Sequence, residues 1–232
     1  MDASQKTSAS LAGWTIVFDL DGTLVESAPD LLNALNHTIA PLGLPAVELE
    51  QIRTMIGHGA KAMIRAALEQ NQRDVDQIDM DGLWSRFIAH YEENIAVDSH
   101  VFDGVEAAFG ELKAEGASLC VCTNKTQALT DRLLSELSLT HWFEAVVGAD
   151  SVPAKKPDGG HILETVSRSG GQPSRAIMIG DSRTDEKAAQ NAGLPFIFVP
   201  FGYEAAPVED IVKADVLHHY SELLGRIRAV AG

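Results

Sequence analysis

The sequence predicts an α/β fold in which a parallel sheet is interrupted near its start by a block of helices. Short apolar runs recur at Thr15 to Asp19, Ser118 to Thr123, Ala145 to Val147, Ala176 to Ile179 and Phe196 to Val199. Several are continuously apolar and rich in valine and isoleucine, the pattern of strands buried on both faces. Helical spacing separates the later runs, and alternating strands and helices imply a parallel sheet. The alternation fails only between Ser27 and Val97, where successive amphipathic helices replace it.

Taken in order, residues 1–12 contain one lysine and no long apolar stretch, so they read as a tail and lack the character of a secretory signal. The first strand runs into Asp19-Leu20-Asp21-Gly22-Thr23. Strict alternation would point Asp19 and Asp21 away from a common crevice, but Gly22 frees the chain to turn so that both reach it. Leu31, Leu32, Leu35 and Ile39 then form one helical stripe, and Pro41, Gly43 and Pro45 end it. Gly57-His58-Gly59 introduces a helix through Met63, Ile64, Ala67 and Leu68, and Leu83, Phe87, Tyr91 and Ile95 mark another. A single crossover helix needs only about 10 to 15 residues. The longer segment 27–97 therefore reads as an inserted cap, with 13–26 and 98–232 forming the core.

Within the core, Val105, Phe109 and Leu112 form a helix before Gly116. Leu129, Leu133, Leu134 and Leu137 form the next, and Ile162, Leu163 and Val166 a third. After Pro200 come the loop Phe201-Gly202-Tyr203 and a helix around Leu223, Leu224 and Ile227, with His218 and His219 expected on the surface.

The charge narrows the function. Among 232 residues, 18 basic side chains face 33 acidic ones, a formal charge of −15. Such a chain repels phosphate backbones and anionic membranes, so nucleic acid and membrane are not expected partners. An anionic small substrate would need a metal ion and a few well placed cations to overcome this field. No run reaches the apolar length of a membrane span, and Cys120 and Cys122 are the only cysteines, which together suggest a cytoplasmic protein with buried thiols. A homo-oligomer is left open.

Four strand ends carry polar residues, where open α/β sheets bind ligands. Asp19 and Asp21 invite a divalent metal, and a carboxylate facing phosphorus can act as a nucleophile. Thr123-Asn124-Lys125 offers a hydroxyl, an amide and backbone N–H groups to phosphate oxygens, although a strand-ending threonine also suits a turn or cap. Lys155-Lys156-Pro157 is an ordinary solvated loop unless an acidic pair lies beside it. Gly180-Asp181-Ser182-Arg183-Thr184-Asp185 places two acids four apart, which suits a metal ligand with a supporting partner, or a helix cap.

In this order the four motifs resemble those of the haloacid dehalogenase superfamily, in its phosphatase branch with a helical cap on a Rossmann-like core. Arg53-Thr54-Met55-Ile56-Gly57-His58-Gly59 and Phe201-Gly202-Tyr203 are similar to the phosphoglycolate phosphatase group within it. Two segments depart from that pattern: Asp158-Gly159 stands where a second proline is frequent, and Phe102-Asp103-Gly104 where Pro-Gly is usual.

The resemblance implies an Mg²⁺-dependent phosphatase acting on a small phosphorylated metabolite, with Asp19 as nucleophile and Asp21 as general acid and base. Thr123, Asn124 and Lys156 would hold the phosphoryl oxygens. Asp19, the carbonyl of Asp21 and Asp181 would hold the metal, with Asp185 ordering its waters or Lys156. In the cap, Gly57, His58 and Gly59 and a cation, Arg53 or Arg65, would recognise the substrate's carboxylate. Phosphatases of sugar phosphates or nucleotides, a phosphomutase, and a phosphoacceptor signalling module are the competing readings. The acid at position 21 argues against a dehalogenase or a phosphonate hydrolase.

Overall fold

The structure, a computed structural model, describes residues 10–53, 55–57, 59–204 and 215–232. Its elements, in chain order, are β1 (Thr15–Phe18), β2 (Val25–Glu26), α1 (Ala28–Ile39), α2 (Leu49–Arg53), α3 (Ala60–Gln70), α4 (Met80–Glu93), β3 (His100–Val101), α5 (Val105–Ala114) and β4 (Ser118–Cys122). They continue with α6 (Gln127–Glu136), β5 (Ala145–Val147), α7 (Gly159–Arg168), β6 (Ala176–Gly180), α8 (Arg183–Ala192), β7 (Phe196–Phe198), β8 (Asp215–Val216) and α9 (Leu223–Ala231).

Six strands form one sheet in the order β5-β4-β1-β6-β7-β8, and every pairing in it is parallel. The five core strands read from the sequence are present; β8 is a sixth, too short and too polar to register as an apolar run. Alternation divides the core between two faces. Ile16 and Phe18, Leu119 and Val121, and Ile177 and Ile179 pack with α5, α6 and α9. Val17, Cys120, Cys122 and Met178 pack with α7 and α8. Helices on both sides explain why these strands show no polar face.

The chain leaves β1 on one side toward β4 and β5, then crosses to β6 on the other, so β1 lies at the point where the strand order reverses. Ligands bind outside the carboxyl ends of strands at such a point. Register sharpens the location: Phe18 lies opposite Val121 on one side and Ile179 on the other. Asp19, Thr123 and Asp181 therefore leave the sheet at nearly the same level. Both β1 and β4 end one residue earlier than their apolar patterns suggest, and Asp19 and Thr123 each give a last backbone N–H to the neighbouring strand, at Ile179 and Val147.

The helices α1 to α4 lie between β2 and β3, which pair antiparallel through Val25 with Val101 and Glu26 with His100. This short ribbon is where the chain departs for the helical segment and returns; at two residues per strand it carries too little pattern to read from sequence. Leu31, Leu35 and Ile39 of α1, Met63, Ile64, Ala67 and Leu68 of α3, and Phe87 and Tyr91 of α4 are buried as their spacing predicts.

One boundary needs correction. The tail expected over residues 1–12 is too long, because Leu11 is 1% exposed and belongs to the core. Its carbonyl accepts the Trp14 N–H at 2.9 Å, anchoring the entry to β1. Residues 1–9 lie outside the described residues.

Candidate active site

Gly22 sets the turn after β1. Its φ is +82°, and an added Cβ would lie 2.4 Å from Asp181 Oδ2 and 2.8 Å from Tyr203 Cδ2. Only glycine satisfies both the left-handed backbone and the close approach. The turn brings Asp19 and Asp21 to one cavity, as both line the same space with Thr123, Asn124 and Lys125.

Asp19 sits against Lys156, whose Nζ is 2.9 Å from Asp19 Oδ1 and 2.6 Å from Asp185 Oδ1. Asp19 Oδ1 is buried, and the Lys156 ammonium is the donor beside it. Burial and then the nearby Asp185 push the Asp19 carboxyl up to about 7, against the opposing pull of Lys156. Burial opposes the charge on Lys156, but Asp185 and Asp19 outweigh it and raise that ammonium above its ordinary value. Lys156 is therefore held charged where it can face a second anion.

Asp185 has two roles in the structure. It pairs with Lys156, and it forms a reciprocal cap with Ser182 at the start of α8, each side chain accepting the other's backbone N–H. Asp181 is held by Thr23, whose hydroxyl donates to Oδ1 at 2.9 Å, and by the Tyr203 N–H, which donates to Oδ2 at 2.7 Å. Burial, then Asp185 and Asp19, raise its carboxyl well above the ordinary range.

Asp19, Asp181 and Asp185 each present a carboxylate oxygen within 4.8 Å of the others. Together with Asp21, four carboxylates face the ammonium groups of Lys125 and Lys156, an excess of two negative charges when all are ionised. A divalent cation would neutralise that excess. All the side-chain donors in the trio are carboxylate oxygens, the chemistry suited to Mg²⁺.

Thr123 is 2% exposed and follows β4 directly, its N–H bonded to the Val147 carbonyl. Asn124 ties three segments together: Nδ2 donates to the Lys156 carbonyl at 3.0 Å and to the Gly57 carbonyl at 3.4 Å. The amide thus bridges two sheet-end loops and the helical segment, a role its sequence neighbourhood does not suggest.

The cap residues divide. Gly57 and Gly59 line the cavity, and Gly59 precedes α3. His58 lies outside the described residues. Arg53 and Arg65 do not take the expected position. Arg53 pairs with Glu26 and lies over the Tyr203 ring, 5.4 Å from its centroid, while Arg65 is 53% exposed and lies 4.0 Å from Glu69, one turn along α3. Neither lines the cavity holding Asp19 and Asp21. Arg53 is drawn away because the partly buried Glu26 needs a cation; Arg65 falls on the outward face of the amphipathic α3.

Lys125 was not singled out by the sequence. Its Nζ donates to both Asp21 oxygens at 2.8 Å, and Ser27 Oγ donates to Asp21 Oδ1 at 2.6 Å. Its position immediately after Thr123-Asn124 was the available signal. The cavity measures about 290 Å³, and its wall includes Leu31, Ile56, Met63, Trp84, Phe87 and Tyr91. That size suits a small molecule.

Paired carboxylates, a buried lysine and an acidic trio at a sheet switch point beneath a helical insertion define a hydrolase site for a small phosphorylated substrate. The family model for haloacid dehalogenase-like hydrolases matches residues 16–199. The phosphoglycolate phosphatase of Caulobacter vibrioides is 44% identical over 217 residues, 94% of this chain and 92% of its own. That of Agrobacterium fabrum is 40% identical, covering 89% of each chain. The crystal structure of a predicted phosphoglycolate phosphatase from Haemophilus somnus superimposes with a TM-score of 0.85 at 27% identity, covering 93% of this chain and 97% of that one. The chain belongs to the haloacid dehalogenase-like hydrolase family. Within it, the protein is a phosphoric monoester hydrolase. No helix among the described residues is long and apolar enough to cross a membrane.

Proposed function

We propose that the protein hydrolyses 2-phosphoglycolate to glycolate and phosphate in an Mg²⁺-dependent reaction, through an aspartyl phosphate on Asp19. The observation that carries the mechanism is the placement of Asp19 and Asp21 at one small cavity, with the Lys156 ammonium 2.9 Å from Asp19. The names of the relatives at 40–44% identity support the substrate.

Asp19 attacks phosphorus in line while Asp21 protonates the departing glycolate oxygen, which without a proton is a poor leaving group. Asp21 then takes a proton from water as that water attacks the aspartyl phosphate and releases phosphate. Lys156, the Thr123 hydroxyl and the Asn124 backbone bind the equatorial oxygens as charge shifts onto them. Asp19, the Asp21 carbonyl and Asp181 would hold Mg²⁺, which supplies charge neutralisation between carboxylate and phosphate. Asp185 positions Lys156 through their buried contact at 2.6 Å. Residues 27–97 serve as the cap that closes over the cavity and excludes water.

A panel of 2-phosphoglycolate, sugar phosphates and nucleotides, assayed for phosphate release with Mg²⁺ and with chelator, tests the proposal. Highest kcat/KM on phosphoglycolate, abolished by chelation and restored by Mg²⁺, is expected. Preference for a sugar phosphate or nucleotide, or full activity after exhaustive chelation, contradicts it.

A further inference from the structure

Two polar groups in the cavity wall take no part in the mechanism above. The Lys125 side chain is 5% exposed, and its ammonium spends two of its three N–H donors on Asp21. The Tyr91 hydroxyl lies within reach of the third. Tyr91 reaches the same place from α4, with its ring centroid 5.0 Å from Lys125 Nζ. Its hydroxyl is buried against that ammonium, and its O–H meets no acceptor among the described residues. Burial pushes that phenol up to about 12, so it remains a donor. Buried polar groups are nearly always partnered, and one aimed into a cavity marks where a ligand atom sits.

Chemical distance identifies that atom. Asp21 must touch the ester oxygen of the substrate, and in 2-phosphoglycolate a single methylene separates this oxygen from the carboxylate carbon. Lys125 touches both oxygens of Asp21, so its ammonium stands one short step from the ester oxygen. The other lysines of the wall, Lys61 and Lys155, are exposed, and Lys61 is paired with Asp81. We propose that Lys125 and Tyr91 form the subsite that binds the carboxylate of a short phosphorylated 2-hydroxy acid, one donor from the core and one from the helical segment. The inference rests on the phosphoglycolate reading and assigns its specificity to residues other than Arg53 and Arg65.

The test compares 2-phosphoglycolate with ethyl phosphate, which keeps the alkyl ester and lacks the carboxylate, on the wild type, Lys125→Met and Tyr91→Phe. Lys125→Met should lower kcat/KM for phosphoglycolate about 30-fold or more beyond its effect on ethyl phosphate, as expected for a buried charge losing its partner. Tyr91→Phe, which preserves shape, should cost about 3- to 10-fold beyond its effect on ethyl phosphate, on the scale of one hydrogen bond. Both differential losses should fall mainly in KM, because the carboxylate is bound equally in ground and transition states. Equal losses on the two substrates, or none, would overturn the subsite; Tyr91→Phe decides the matter if Lys125→Met does not fold. A wild type that does not prefer phosphoglycolate to ethyl phosphate contradicts the substrate reading itself. A preference that survives both substitutions overturns only the subsite.

Discussion

Lys156 joins stability to catalysis, and replacing it with methionine separates the two. Its side chain is 1% exposed and that of Asp185 is 0%, so solvent does little to screen their contact at 2.6 Å. Lys156→Met keeps the aliphatic stem but leaves Asp19 and Asp185 without their shared cation. Breaking a buried pair from one side costs about 3–5 kcal/mol. For a chain of this size that corresponds to a fall of roughly 10 °C in Tm. Loss of one preorganised donor to the transferring phosphoryl group should lower kcat about 100- to 1,000-fold. The decisive comparison adds Asp185→Asn, whose amide oxygen can still cap α8. The double variant should recover about 1–3 kcal/mol, measured by urea unfolding in the presence of chelator, without recovering turnover. Stability unchanged in Lys156→Met would refute the buried-pair argument, and activity restored in the double variant would refute a role for Lys156 at the phosphoryl group.

Three further outcomes follow from the geometry. Asp21→Asn should lower kcat/KM, which reports the phosphoryl-transfer step, far more for an alkyl phosphate than for an aryl phosphate, whose leaving group needs no proton; equal losses in kcat/KM would remove the acid from Asp21. Gly22→Ala should cost more than about 2 kcal/mol and weaken Mg²⁺ binding, since its Cβ meets Asp181, whereas Gly43→Ala, with φ of +68° and nothing within 4 Å, should cost only about 1 kcal/mol of backbone strain. Denaturant unfolding and Mg²⁺ titration of the two variants check this. His161 is buried, its Nδ1 accepting the Lys156 N–H at 3.2 Å and its Nε2 bonded to the Val147 carbonyl at 3.1 Å. Burial, then Lys156, lowers it from 6.5 to about 4. Because the folded pKa is the lower one, its contribution is intact above pH 6.5 and is lost as pH falls toward 4, by about 3 kcal/mol in all. Stability curves of the wild type and His161→Asn should therefore converge over that window; a constant difference between them would show that His161 does not titrate as described.

Much of the architecture was legible because its signals are local. Runs such as Ile177-Met178-Ile179 are apolar on both faces of the sheet and need no tertiary knowledge to read. Asp19, Thr123 and Asp181 were legible for the same reason, since each follows a strand directly and the topology brings strand ends together, whereas Lys156, well past β5, was legible only from the order of the motifs. β2, β3 and β8 escaped because two residues carry no period. The position of Arg53 was not legible because sequence shows that it is basic but not that Glu26, distant along the chain, pairs with it. Lys125 and Tyr91 were hidden oppositely: one looked like the tail of a turn, the other like one more apolar residue in the stripe of α4.

The central claim is that Asp19 carries the phosphoryl group, and trapping that adduct tests it most directly. Asp21→Asn should still be phosphorylated by an aryl phosphate in the presence of Mg²⁺, but should hydrolyse the product slowly because no base activates water. Rapid acid quench followed by peptide mass spectrometry should find phosphate on Asp19, accumulating in step with release of the aryl alcohol. Release of the alcohol with Asp19 unmodified throughout, or phosphate found on another residue, would contradict the account.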